Sequence, residues 1–117
     1  MTPKTVAIGA ALALVLVNAT ASAAADASLV SGDDVRAFCH SESPRRQGVC
    51  FGFAIAVAEI VAIEPVAGWR ACFPGEVTRG QYDHIMVKYL DDHPEKLHHD
   101  AIDLTAQAFG IAFPCPK

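Results

Sequence analysis

The sequence predicts a small all-α domain of four to five helices, stapled by two disulfides. Apolar residues recur at helical spacing in four segments, and no segment shows the alternation expected of a half-buried strand. Four cysteines all follow the N-terminal apolar run. An even number of cysteines in a small exported chain is typical of a disulfide framework.

Residues 1–25 have the three parts of a secretory signal peptide. Lys4 supplies the positive charge, an uncharged apolar run covers 6–17, and Ala21-Ser22-Ala23 or Ala23-Ala24-Ala25 offers a cleavage site. The apolar run is shorter than the roughly 20 residues that cross a bilayer, and no basic cluster follows it. We therefore expect cleavage, a periplasmic location, no membrane attachment afterwards, and a mature helical domain over 26–117.

The mature domain is acidic. It keeps all thirteen acidic residues and eight of the nine basic ones, which gives a formal net charge of −5. This charge argues against nucleic acid or an anionic membrane as a partner, because both select a basic surface. A domain of this size also commonly needs covalent stabilisation.

Four cysteines allow three disulfide connectivities. We favour Cys39–Cys50, which closes a short loop, and Cys72–Cys115, which ties the C-terminal tail to the middle of the chain. A zinc site is disfavoured, because there is no CxxC pair and no histidine at zinc-finger spacing. An even count also leaves no spare thiol for catalysis. We expect no metal and no cofactor.

The first two helices have clear boundary signals. Ser31 can cap the first helix, which should end near His40. The second helix, Gln47 to Ile63, is apolar nearly all round, which predicts a helix buried at the centre of the domain. Within it, Glu59 is interpreted as facing a polar gap, pairing with Arg70 or lining a subunit interface, and a catalytic carboxylate is the weaker alternative.

Small and aromatic residues in the middle of the chain are interpreted as packing features. Gly48 and Gly52 lie four residues apart, a spacing that permits close helix packing. Trp69, shortly before Cys72, is expected to be a partly buried anchor, with interface contact as the lesser option.

The third and fourth helices are predicted from a capping box and from apolar stripes. Thr78 and Gln81 mark the start of the third helix, and Pro94 ends it. Its predicted buried face is Tyr82, Ile85, Met86, Tyr89 and Leu90, and its predicted solvent face is Asp83, His84, Lys88, Asp91 and Asp92. The fourth helix should run from about His99 to Ala112. Its predicted inward positions are Ala101, Leu104, Ala108, Ile111 and Ala112.

The sequence shows no signature of an enzyme: a nucleophile elbow, an HExxH motif and a glycine-rich phosphate loop are all missing. His93, His98 and His99 flank a turn that also contains Glu95 and Lys96. They include no i, i+4 pair within one helix, which argues against a metal site. We interpret the segment as a solvated turn, with recognition as the alternative, because exposed loops on rigid scaffolds often carry binding residues.

A series of motifs spans essentially the whole mature chain. In order these are Phe38-Cys39, Cys50-Phe51-Gly52-Phe53, Cys72-Phe73-Pro74, Val77-Thr78-x-x-Gln81, Val87-Lys88-Tyr89-Leu90-x-x-His93-Pro94-Glu95-Lys96 and Phe113-Pro114-Cys115. Together they resemble the Tai-type immunity proteins, which neutralise peptidoglycan amidase toxins delivered by type VI secretion.

The resemblance implies an exported, helical and often dimeric protein that is not an enzyme and that plugs the active-site cleft of a peptidoglycan amidase. It makes the turn from His93 to His99 the intruding segment, with the first helix as a second contact. The implied partner-binding residues are His93, Glu95, Lys96, His98 and His99. A homodimer would bury apolar surface that a domain of about ninety residues cannot cover alone.

The main alternative is an acid-stress chaperone resembling the HdeA type, which is also small, helical, periplasmic and disulfide-bonded. On acidification, protonation of five histidines and thirteen acidic residues would make the net charge of this chain strongly positive. That type, however, has a single disulfide and lacks these motifs. An envelope protein of the same family without a toxin partner is a further alternative.

Overall fold

A computed structural model describes residues 2–4, 9 and 29–117, so the predicted signal peptide lies almost wholly outside the described residues. The helices are α1 (Gly32–Cys39), α2 (Pro44–Ile63), α3 (Arg79–Asp92) and α4 (Ala101–Ala112), and a short 3₁₀ helix, Pro94–Lys96, follows α3. Within 29–117, β structure is limited to two isolated bridges. The predicted all-α class is confirmed.

Both favoured disulfides are present. Cys39–Cys50 joins the last residue of α1 to the second turn of α2, with a Cα–Cα distance of 5.0 Å. Cys72–Cys115 joins the loop before α3 to the C-terminal tail, at 4.9 Å. In the same place the Cys72 amide donates to the Phe113 carbonyl at 2.9 Å. The tail is therefore fixed to the middle of the chain by a covalent bond and a hydrogen bond.

The predicted start and end of α1 are confirmed. The Ser31 hydroxyl accepts from the Asp34 amide at 3.2 Å, and the Asp34 carboxylate accepts from the Ser31 amide at 2.9 Å. These two bonds form a capping box, in which each side chain satisfies a backbone donor that has no partner within the helix. The hydrogen bond from the Ser31 amide is the main reason that the pKa of Asp34 is lowered.

The prediction that α2 is buried all round is wrong. The helix begins at Pro44, three residues earlier than expected, because the fixed φ of proline suits the first helical position. One face is buried, through Cys50, Ala54, Val57, Ala58 and Val61. The opposite face is exposed, because α1, α3 and α4 all pack against the same side. By length and composition alone α2 could cross a membrane, but the same test is passed by core helices of soluble proteins.

The buried face of α3 agrees with the predicted stripe, since Met86, Tyr89 and Leu90 are buried. One residue assigned to its solvent face is misplaced: Asp83 is only partly exposed and lies against the Cys39–Cys50 disulfide. Periodicity along α3 could not reveal this contact, because it depends on how α3 packs against α2. The Gln81 arm of the predicted capping box is formed, with Gln81 Oε1 accepting from the Thr78 amide at 2.7 Å.

Helix α4 begins at Ala101, with Asp100 as its N-cap. Ala101, Leu104 and Ala108 are buried as predicted, but the inward placement of Ile111 and Ala112 is wrong, because both are exposed. The buried face is instead centred on Thr105 and Phe109, and both are fully buried. Phe109 joins an aromatic cluster with Phe73, Tyr82 and Phe113. This cluster holds the loop before α3 against the ends of α3 and α4.

Candidate partner-binding surface

The turn over residues 93–100 is fixed to the start of α1 by backbone hydrogen bonds. The Gly32 amide donates to the His99 carbonyl at 3.0 Å, and the Asp33 amide donates to the Leu97 carbonyl at 2.9 Å. The first amides of a helix have no acceptor within the helix, so the turn supplies acceptors that α1 needs. The two regions that the resemblance assigned to partner contact are thus adjacent.

Two of the five predicted partner-binding residues pack against Tyr89 of α3. The ring of His93 stacks on the Tyr89 ring with centroids 4.1 Å apart, and its Nδ1 lies 2.7 Å from the Tyr89 carbonyl oxygen, to which it can donate. Lys96 Nζ donates to the Tyr89 hydroxyl at 3.2 Å. Because Tyr89 is buried, these contacts fix the first half of the turn to the domain.

The second half of the turn borders an open cleft of about 730 Å³. Lys96, His98 and His99 line it, and the His98 and His99 rings lie 4.1 Å apart. Both histidines are exposed, whereas Leu97 beside them is buried. The turn therefore presents its imidazoles outwards while Leu97 anchors its backbone.

The five predicted residues do not share one surface. His93 borders a different groove, of about 420 Å³, between α3 and α4, together with His84, Ile85 and Ile111. Glu95 is exposed on the 3₁₀ helix. The structure thus brings Lys96, His98 and His99 together and places His93 on another side of the turn. The partner-binding role itself stays a prediction.

The cleft also contains residues that were not predicted as partner-binding residues. Trp69 contributes its half-buried ring, and Asp103 and Gln107 of α4 supply an acid and an amide. The predicted partial burial of Trp69 is confirmed. Asp100, Asp103 and Gln107 follow one another at helical spacing, so a polar stripe on α4 was available as a signal. Sequence reasoning missed it because the stripe looks like an ordinary solvated face.

The arrangement suits recognition by charge and hydrogen bonding. Lys96 and the two imidazoles supply donors, and Asp100 and Asp103 supply acceptors. The cleft is open to solvent on a domain whose net charge is negative. A partner surface of mixed charge, with acidic groups facing Lys96 and basic groups facing the aspartates, would complement it.

Glu59 is exposed and does not pair with Arg70, so that option is wrong. The Arg70 guanidinium instead donates to the Ala62 carbonyl at 3.1 Å. Glu59 borders a groove of about 400 Å³, together with Arg79 and Tyr82. It therefore lies at the edge of the exposed side of α2, which leaves the subunit-interface interpretation open.

The exposed side of α2 forms an apolar strip, which we call the α2 outer face. Its large members, Val49, Ile60 and Ile63, are 48%, 42% and 76% exposed. Between them lie the small residues Gly52 and Ala56. A Cβ added at Gly52 would meet nothing within 4 Å. The close packing that the glycine spacing favours is not made within the described part of this chain.

Among the described residues, one group of potential metal ligands converges, formed by Cys39, Cys50 and Asp83. The two sulfurs are bonded to each other. A disulfide does not supply the thiolates that bind zinc. The group is therefore a disulfide with a neighbouring carboxyl group.

A family model described as Rap1a immunity proteins matches residues 31–115, which include all four helices and both disulfides. No curated protein and no solved structure matches the chain.

Proposed function

Because the chain belongs to the Rap1a immunity protein family, we propose that it protects its host cell from a peptidoglycan amidase delivered by type VI secretion. Membership of the family indicates immunity to a secreted toxin, and immunity proteins of this kind are generally not enzymes. The choice of an amidase follows the Tai-type motifs, above all the segment from Val87 to Lys96. The proposed site of action is the periplasm, where peptidoglycan is cut.

The observation that carries this proposal is the construction of the turn over 93–100. Its backbone is bonded to α1, its anchor Leu97 is buried, and His98 and His99 are exposed beside an open cleft. A segment whose backbone is already fixed loses little conformational freedom on binding, which favours affinity. We propose that this segment enters the active-site cleft of the amidase and blocks it.

The inhibition proposal is tested with the protein and a peptidoglycan amidase encoded in the same genome. We expect the double variant His98→Ala, His99→Ala to bind the amidase at least about tenfold more weakly, because central interface side chains commonly contribute more than 1 kcal/mol each. The control is His84→Ala, an exposed histidine on α3 outside the cleft. Calorimetry measures binding of the amidase, and release of muropeptides from peptidoglycan measures inhibition of the amidase. Unchanged binding by the double variant would exclude the turn as the contact.

The family match favours immunity over the chaperone alternative, and one measurement separates them. A chaperone of that type must suppress aggregation of unrelated proteins at about pH 3. We expect this chain to give no such protection. Protection at pH 3 combined with failure to inhibit every amidase of the strain would reverse the assignment.

We further propose that the protein forms a homodimer through the α2 outer face. Antiparallel packing of two copies about a twofold axis near residues 54–55 would place Val49 of one copy against Ile60 of the other, with Gly52 and Ala56 at the crossing. The ends of the helix are complementary in charge, because Arg45 at the start would meet Glu64 of the other copy. Both side chains are exposed and form no ion pair within the described residues. An interface that pairs with itself in this way fits a twofold dimer.

The dimer is tested by sedimentation at micromolar concentration. We expect Ile60→Glu to give a monomer, because it would bury an unpaired carboxylate against Val49 of the other copy. Ile102→Glu on α4 is the matched control, since Ile102 is 41% exposed and Ile60 is 42% exposed. A monomeric wild-type protein would exclude the dimer and would leave the inhibition proposal untouched.

The periplasmic location needs its own test. Fractionation of cells that carry the C-terminally tagged chain should recover it in the periplasm, with a mature N-terminus between Ala24 and Asp26. Recovery of the uncleaved chain in the cytoplasm would contradict this part of the proposal.

A further inference from the structure

The two cysteines of the Cys39–Cys50 disulfide differ in exposure. Cys50 is 3% exposed, whereas Cys39 is partly exposed at the end of α1. A thiol reduces a disulfide when its thiolate attacks one sulfur and the other sulfur leaves. Access therefore makes Cys39 the attacked sulfur and Cys50 the leaving group.

Asp83 of α3 lies against the leaving sulfur. Its Oδ1 is 3.0 Å from Cys50 Sγ. A disulfide sulfur carries no hydrogen to donate, so a carboxyl oxygen here faces an atom that gains negative charge on reduction. Burial raises the pKa of Asp83, although the charge of His84 opposes this. The raised pKa agrees with a partly buried site, where solvent screens the repulsion between a carboxylate and a thiolate less than it does at an exposed position.

We propose that Asp83 protects the Cys39–Cys50 disulfide against reduction by thiols, because its carboxylate destabilises the Cys50 thiolate that must leave. In the first step the reductant's thiolate bonds to Cys39 Sγ, the S–S bond breaks, and Cys50 Sγ departs with the electron pair. In the second step the other thiolate of a dithiol attacks the mixed disulfide and releases Cys39. Two electrons have then passed from the dithiol to the protein, and the dithiol has become a cyclic disulfide.

The same contact also acts on Cys50 when the disulfide forms. A neighbouring carboxylate raises the pKa of the Cys50 thiol. A higher pKa makes the thiolate a stronger nucleophile, but it also lowers the fraction of Cys50 that is ionised, and above neutral pKa values the second effect is larger. Asp83 therefore protects the disulfide by slowing its reduction and not by speeding its closure. This inference does not depend on which toxin the protein neutralises.

The proposal is tested by reducing the full chain with dithiothreitol under native conditions. Alkylation and peptide mass spectrometry then follow each disulfide separately. We expect Asp83→Asn to accelerate reduction of Cys39–Cys50 by about threefold or more, since a leaving thiol of lower pKa leaves faster. Reduction of Cys72–Cys115 in the same molecules should not change. Asp92→Asn is the matched control, because Asp92 is exposed on the same helix and bonded to Lys88.

Several outcomes overturn the proposal. Equal rates for Cys39–Cys50 in the wild-type protein and in Asp83→Asn exclude an effect of the carboxylate. Parallel acceleration of both disulfides shows that the variant merely loosens the fold, and a denaturant unfolding curve of each protein identifies that case. Asp83→Ser serves as a second variant if Asp83→Asn does not fold, with the same expected pattern.

Discussion

Asp91 of α3 joins α1 to α3 through two hydrogen bonds to one carboxylate oxygen. Arg36 Nε and His40 Nε2 each lie 2.8 Å from Asp91 Oδ1. Partial burial raises the pKa of Asp91, but the hydrogen bonds from His40 and Arg36 and their charges outweigh it, so the pKa is lowered overall. One side chain thus supplements the disulfide as a link between α1 and the rest of the domain.

Asp91→Asn should lower the free energy of unfolding at pH 6 by about 0.5–1 kcal/mol. The loss is modest because the contacts of Asp91 with Arg36 and His40 are partly exposed and screened by solvent. The folded-state pKa lies below the unfolded-state value. The contribution is therefore present above about pH 4 and is lost as the pH falls through the folded-state pKa. Urea unfolding of the wild-type protein and the variant at pH 6 and at pH 3 measures the contribution of Asp91 to stability at each pH. Asp92→Asn, in a more exposed pair with Lys88, should cost less, and an equal cost would contradict this account.

Thr105 is a second residue whose polar atom affects stability. It is fully buried, and its Oγ1 has no hydrogen-bond partner among the described residues. Thr105→Val keeps the shape and removes the unsatisfied hydroxyl, so it should stabilise the protein by about 1 kcal/mol. Thr105→Ser keeps the hydroxyl, loses a buried methyl group and should cost about 1 kcal/mol. Thermal unfolding compares the two, and destabilisation by valine would show that the hydroxyl has a partner.

At the scale of the elements, close contact between α4 and the loop before α3 determines where the cleft lies. A Cβ on Gly110 would come within 2.7 Å of Trp69 Cε3 and 3.1 Å of the Arg70 carbonyl oxygen. The hairpin-like turn that presents Trp69 has reciprocal backbone bonds between Val66 and Trp69, at 2.8 and 2.9 Å. Trp69 is thus held between a tight turn and a glycine, and it forms one wall of the cleft.

Gly110→Ala should therefore destabilise the protein by about 1–3 kcal/mol, since the added methyl group overpacks a rigid contact. Gly80→Ala on α3 is the control, because a Cβ there would meet nothing within 4 Å. It should be neutral or stabilising by up to about 1 kcal/mol, as alanine favours helix over glycine. Denaturant unfolding separates the two variants, and equal effects would show that the contact with Trp69 is loose.

The sequence predicted the elements better than their packing. Local signals such as the Ser31 cap, Pro94 and the stripe of α3 depend on neighbouring residues, and the helices that they predict are present. The exposed face of α2, the outward Ile111 and the contact of Asp83 with Cys50 depend on helices distant in sequence. The candidate site shows the same contrast between local signals and tertiary packing. Its turn was predicted from the local sequence, whereas Trp69 and Asp103 line the cleft because of tertiary packing.

At the scale of the whole molecule, the two disulfides constrain loops of different length. Cys39 and Cys50 are 11 residues apart, and Cys72 and Cys115 are 43 apart. Loop-closure entropy predicts about 3 kcal/mol of stabilisation from the shorter loop and about 4 kcal/mol from the longer one. The longer loop contains α3, the turn and α4, and therefore most of the candidate site.

Replacing Cys72 and Cys115 together by serine should accordingly cost more stability than replacing Cys39 and Cys50. We expect a difference of about 1 kcal/mol in guanidinium unfolding. Measuring amidase binding by the same two variants would show whether loss of the disulfide that closes the longer loop also weakens binding. A larger loss from the shorter disulfide would mean that its contacts, and not the loop length, dominate.

The bonds between the turn and α1 have a consequence for how this protein can change over evolutionary time. The backbone carbonyls of Leu97 and His99 accept hydrogen bonds from the first amides of α1, and every amino acid has a backbone carbonyl. Substitutions at His98 and His99 therefore change the exposed side chains of the turn without removing the backbone hydrogen bonds that hold the turn to α1. A lineage could replace these side chains one at a time, as the toxin that it meets changes, while the scaffold stays intact.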